Sequence, residues 1–140
     1  MKDFVTFEIS KKLKEKGFRE KCFAIYIPYS RTFKFNEINV DKRPTSYKLN
    51  IEEFRECYNY YKENNIDAPT ISQVLKWLRE EKELHIEIYM YHNCYLWEIY
   101  NTKIYDADFT QKSEKYSEIE YETYEQAALA GIEYVLDNLI

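Results

Sequence analysis

Leu84-His85-Ile86-Glu87-Ile88-Tyr89-Met90-Tyr91-His92-Asn93-Cys94-Tyr95-Leu96-Trp97-Glu98-Ile99-Tyr100 is the stretch on which the fold turns. Leu84, Ile86, Ile88 and Met90 alternate with His85, Glu87, Tyr89 and Tyr91, the period of two expected of a strand buried on one face. His92-Asn93-Cys94 reads as a turn, and Tyr95 to Tyr100 as the return strand of a hairpin. Lys103 to Tyr105 extends that strand or opens a bulge. Asp106 to Lys115 reads as a polar loop and Tyr116 to Tyr121 as a third strand.

Helical patterns stand on both sides of the hairpin. Ala68-Pro69-Thr70 opens one in which Ile71, Val74, Leu75 and Leu78 face inward, with Trp77 at the edge of the stripe. Thr123 caps another, where Tyr124, Ala127, Ala128, Gly131, Val135 and Leu136 form the inner face and Ile132 and Leu139 flank it. Small residues there let the helix sit close to a sheet. Strands held between two such helices predict a single α+β domain, a mostly antiparallel sheet with helices on one face. The unit over about 68–140 reads as α-β-β-(β)-α.

Upstream, Thr6 is placed to cap a basic helix over about 6–16. Ile9 and Leu13 share a face, and Gly17-Phe18 has the form of a glycine stop with its hydrophobic follower. Cys22 to Ile27 is apolar and rich in strand formers until Pro28, and Thr32 to Phe35 alternates like a second strand. A loop is expected between about Asn36 and Leu49. Asn50-Ile51-Glu52-Glu53 resembles a capping box opening a short helix to about Glu63.

A chain of 140 residues buries about 68% of its unfolded surface, enough to fold without a metal or disulfide. Cys22, Cys57 and Cys94 are widely spaced and odd in number, which predicts thiols in a reducing cytoplasm. Met1 to Thr6 lacks an apolar signal core, and the uncharged run from Cys22 to Ser30 is too short to span a bilayer. Cytoplasmic localisation without membrane association follows as the expectation.

Few groups offer chemistry. His85, His92 and Cys94 are metal-ligand types, but their spacing fits no zinc pattern and a fourth ligand is lacking. Glu87 and Glu98 face each other or sit diagonally across the hairpin, and paired carboxylates run acid–base chemistry when their environments differ. A small-molecule enzyme using these carboxylates or His85 is one alternative function. No cofactor is expected, and enzymatic activity is the weaker reading.

Charge is unevenly placed. Lys11, Lys12, Lys14, Lys16, Arg19 and Lys21 crowd the first helix against only Glu15 and Glu20, whereas Glu114 to Ile140 holds seven acids and one base, Lys115. Helix–three strands–helix is also the topology of double-stranded-RNA-binding domains, which grip phosphates with basic residues near the start of the last helix. Here that helix opens Thr123-Tyr124-Glu125 and has no Lys or Arg. Nucleic acid is therefore disfavoured, and the basic first helix is the place where it would bind. An acidic decoy that mimics nucleic acid is a weaker reading of the same tail. The basic and acidic helices are also suited to each other, within one chain or between two.

Phe4-Val5-Thr6-Phe7-Glu8, Lys11-Lys12-Leu13-Lys14-Glu15 and Gly17-Phe18 occur together with Ala68-Pro69-Thr70, Gln73-Val74, Lys76-Trp77-Leu78-Arg79-Glu80, Thr123-Tyr124-Glu125-Gln126-Ala127 and Ala130-Gly131-Ile132. Together they resemble small uncharacterised proteins carried by phages, prophages and mobile elements of anaerobic gut bacteria. The segment from Phe33 to Asn65 stands outside the likeness. What the resemblance implies is a cytoplasmic accessory role, with no established activity or site to transfer. The expected partner is a protein, or a second copy of this chain. Among the fifteen tyrosines, Tyr89, Tyr91, Tyr95 and Tyr100 with Trp97 form the expected contact surface, since aromatic residues mark interface centres.

Overall fold

The computed structural model describes residues 3–22, 24–27, 32–35, 66–105 and 111–140. The expected loop at 36–49 and helix at 51–63 lie outside them. In chain order the elements are α1 (Phe7–Glu15), β1 (Ala24–Ile27), β2 (Thr32–Phe35), β3 (Ile66–Asp67), α2 (Ile71–Glu81), β4 (Leu84–Tyr91), β5 (Cys94–Tyr105), β6 (Gln111–Tyr116) and α3 (Tyr124–Asn138). The strands form two antiparallel three-stranded sheets, ordered β2-β1-β3 and β4-β5-β6. The α+β class and the α-β-β-β-α order of the second half are as the sequence implies.

Side-chain caps start each described helix. The Thr6 hydroxyl accepts from the Ile9 amide. Thr70 with Gln73, and Thr123 with Gln126, form full capping boxes, each pair satisfying two amides that the first turn leaves orphaned. Helix α1 ends in a Schellman motif, with the Phe18 amide donating to Leu13 and the Gly17 amide to Lys14. Gly17 sits at φ +89, and open space surrounds its missing Cβ, so backbone conformation alone calls for glycine there. Phe18 then buries beside Leu13 and meets Trp77 edge-on, with 5.4 Å between ring centroids.

One hydrophobic core joins the helices to β4 and β5. Trp77 lies inside it, only 5% exposed, while Leu75 is half-buried. The stripe on α2 is thus turned toward Trp77, because Phe18 comes down on that side. On α3, Ile132 is fully buried whereas Tyr124 and Leu139 are exposed, so the inner face is centred one residue from the expected line.

The small sheet is tied to this core through backbone. Val5 donates to Pro69, Ile71 to Asp3 and Ala68 to Ala24, while the Tyr26 hydroxyl donates to the Val5 carbonyl at 2.6 Å. The opening residues therefore brace the start of α2.

The third strand departs from expectation. It spans Gln111–Tyr116, where a polar loop was expected, and ends where the strand was expected to begin. Residues 106–110 lie outside the described set. Tyr121 makes only an isolated bridge, to Tyr95. The physical reason is that β6 is an edge strand whose Lys and Glu residues protect its open side, so it carries no apolar alternation.

Candidate functional site

The hairpin register decides which side chains share a surface. Tyr91 pairs with Cys94, so the turn is the two residues His92-Asn93. His92 takes φ +53, the left-handed conformation that tight hairpin turns need at their first central position. A three-residue turn would have set Tyr91 opposite Tyr95 and Tyr89 opposite Trp97, all on one face. Shortening the turn by one residue moves the return strand's side chains to the other face.

The five aromatic residues consequently do not form one surface. Ile86 pairs with Ile99, Ile88 with Trp97 and Met90 with Tyr95 on the face toward the helices. Trp97 is 5% exposed, and its ring lies 5.3 Å from Tyr134 of α3. Tyr95 is half-buried against the core and meets Tyr124 edge-on. Both leave the expected contact surface and become packing residues.

The opposite face carries His85 beside Tyr100, Glu87 beside Glu98, Tyr89 beside Leu96, and Tyr91 beside Cys94. Tyr116 of β6 stands next to Glu98 and Ser113 next to Tyr100. The two carboxylates are thus directly opposed, with tyrosines on both sides of them. Leu96 and Tyr116 join this surface without having been expected there. Parity counted from a two-residue turn is the signal that would have placed Leu96.

The tyrosines feel those carboxylates. Burial, followed by the Glu98 hydrogen bond and the charges of Glu98, Glu87 and Tyr89, pushes the Tyr100 phenol up to about 12. Tyr89 is raised too, first by desolvation and then by Glu98 and Glu87. Tyr100 therefore keeps its proton well above the ordinary phenol range. A raised phenol stabilises the fold fully below its ordinary value near 10, and that stability drains as pH climbs toward 12. Spectrophotometric titration should show a late-ionising tyrosine that disappears in Tyr100→Phe, and melting temperature should fall over the same alkaline window. A titration unchanged by Tyr100→Phe would remove Glu98 as its partner.

Lys12, Lys16 and Arg19 of the basic cluster are engaged within the chain. Lys12 reaches Glu133 at 2.9 Å and Asp137 at 2.8 Å on α3, contacts that raise its pKa. Lys16 donates to the Ile140 carbonyl oxygen. Arg19 donates to the carbonyls of Lys14 and Phe18 at the helix end, and the charges of Lys14 and Arg19 act on Asp67, whose own carboxyl burial raises. The basic and acidic helices meet within one chain. Lys11, Lys14, Arg19 and Lys21 are exposed, but half of the basic cluster's charge is turned inward or along its own backbone.

Metal and thiol chemistry finds little support among the described residues. No three His, Cys, Asp or Glu side chains there gather closely enough to hold a metal ion. Burial pushes the Cys22 thiol up to about 12, so it holds its proton and is a poor nucleophile. No described helix is long and apolar enough to cross a membrane.

No protein family, curated protein or solved structure matches this chain.

Proposed function

We propose that this is a non-enzymatic accessory protein, of the phage and mobile-element kind its sequence resembles, which acts by binding another protein. The binding surface is the helix-distal face of β4-β5-β6, centred on Tyr89, Tyr91 and Tyr100 with Leu96 and Tyr116. The observation that carries this reading is the opposed pair Glu87 and Glu98, framed on that face by tyrosines. Tyrosine supplies broad contact area at low entropic cost. Two adjacent carboxylates suit an arginine- or lysine-bearing segment, because a guanidinium can bridge them and stack on the neighbouring rings.

The nucleic-acid reading loses ground because Lys12 and Lys16 are committed to α3 and the chain's last residue. The enzyme reading would need the two carboxylates to differ in environment within a cleft, whereas here they oppose each other on the pleated face of a sheet.

A tagged protein drawn through nuclease-treated host lysate is expected to retain a stoichiometric protein partner. Tyr91→Ala combined with Glu98→Arg should release that partner while leaving the melting temperature close to wild type, since Tyr91 is 52% exposed. A partner held equally by the double variant would move the site elsewhere. Loss of the partner on nuclease treatment would return attention to Lys11 through Lys21.

A further inference from the structure

We infer that the edge of β4 left unpaired among the described strands is a self-association edge, pairing antiparallel with β4 of a second copy in the register that sets Ile88 opposite its own mate. The backbone directions come first. Tyr95 exchanges hydrogen bonds with Tyr121, at 2.8 and 3.0 Å, and Trp97 bonds to Ser117 through its carbonyl and its amide. Both therefore point their backbone groups away from β4. Their partners Met90 and Ile88 must then point theirs outward, since directly opposed antiparallel residues either exchange both bonds or neither. By alternation Leu84 and Ile86 do the same. Among the described strands, β5 alone pairs with β4.

The two edges of this sheet are built differently. On β6 the edge carries Glu114 and Lys115, and its register with β5 breaks twice. Strand β4 runs without a register break from Leu84 to Tyr91 and has no lysine, arginine, proline or bulge. Charge and irregularity are the usual protections of an edge that must stay single. The β6 edge has both, whereas β4 has no irregularity and a single charged side chain, Glu87, and it also presents Met90 at 67% exposure.

The sequence of β4 selects the partner and the register. Outward-facing residues must oppose each other, and only two such registers engage all but one residue of the strand with its copy. In the first, Glu87 meets Glu87 of the second copy as a close pair, and like charges so placed repel. In the second, Ile88 meets Ile88, Ile86 meets Met90 and Met90 meets Ile86, each pair exchanging two backbone hydrogen bonds. Between them Glu87 faces Tyr89, and His85 faces Tyr91. No like charges meet, exposed Met90 gains an apolar neighbour, and a tyrosine hydroxyl stands within reach of each carboxylate. The twofold joins the two sheets into one six-stranded sheet and fuses their tyrosine faces. This dimer does not depend on the partner reading above, and its test uses the protein alone.

Sedimentation velocity of the purified chain across a concentration series is the experiment, with Met90→Pro and Met90→Lys as probes. Proline removes only an outward amide, a placement that edge strands tolerate. Lysine keeps the amide but sets a charge against Ile86 of the second copy. Wild type is expected to be dimeric. Met90→Pro, which removes one intermolecular donor from each chain, should weaken the dimer by at least about tenfold. Met90→Lys should weaken it also, and both variants should keep the wild-type circular dichroism spectrum. A wild-type protein monomeric at every concentration overturns the inference. So does a dimer that both variants leave unchanged, which would place the contact on another surface.

Discussion

Trp97→Ala is expected to lower stability by about 3–5 kcal/mol, the range for deleting a buried large aromatic side chain. The indole is 5% exposed, lies against Tyr134, and is in contact range of the α3 backbone at Gly131. Alanine would open a void beneath α3 that Ile86, Ile88 and Ile99 are too constrained by the sheet to fill. For a domain of this size the melting temperature should drop by roughly 10 °C or more. Trp97→Phe should cost far less. It keeps a ring against Tyr134 and removes the indole N–H, a buried donor with no acceptor among the described residues. An unmade hydrogen bond of that kind already costs about 1–3 kcal/mol, so its removal offsets part of the lost contact. Thermal unfolding of the two variants followed by circular dichroism tests both statements. If alanine left the melting temperature unchanged, Trp97 would have to be a surface residue after all.

That prediction turns on a one-residue matter, which shows where the sequence is legible and where it is not. Caps and stops are local chemistry, so Thr6, Gly17, Thr70 and Thr123 could be assigned from their neighbours alone. The alternation from Leu84 to Met90 likewise revealed a strand with one buried face. Register is a different kind of information. His92-Asn93-Cys94 and His92-Asn93 are equally plausible as turn sequences, yet they put Trp97 on opposite faces of the sheet. What decides between them is tertiary: Trp97 fits under Gly131, and Tyr95 fits against Tyr124. Strand β6 was hidden for a related reason. An edge strand is specified by the backbone of its neighbour, and its charges serve to keep other strands away, so its residues look like loop. The opposed carboxylates lie between these cases. Glu87 and Glu98 were visible as a pair, but only the register shows that they are directly opposed and flanked by Tyr89 and Tyr100.

Gly131→Val is expected to cost about 2–3 kcal/mol, through crowding rather than through a lost contact. A Cβ built at Gly131 would stand 3.0 Å from Ile86 Cγ2 and 3.3 Å from Trp97 Cγ, on the line where α3 crosses the hairpin. Glycine inside a helix is itself unfavourable by up to about 1 kcal/mol relative to alanine. Its presence here means that the close approach of helix to sheet outweighs that penalty. Gly131→Ala should therefore be nearly neutral, because its gain in helix propensity is set against a contact only a few tenths of an ångström too tight. Valine adds two methyl groups on a branched Cβ with little rotamer freedom, and either α3 lifts or Trp97 leaves its position. Lifting α3 would also loosen the Lys12 contacts to Glu133 and Asp137, since α1 rides on that helix. Shortening Ile86 tests the mechanism directly. In Gly131→Val with Ile86→Ala the crowding methyl is gone, so the double variant should be more stable than the sum of the two single costs predicts. Strict additivity in chemical denaturation would mean that Ile86 does not set the spacing between α3 and the hairpin.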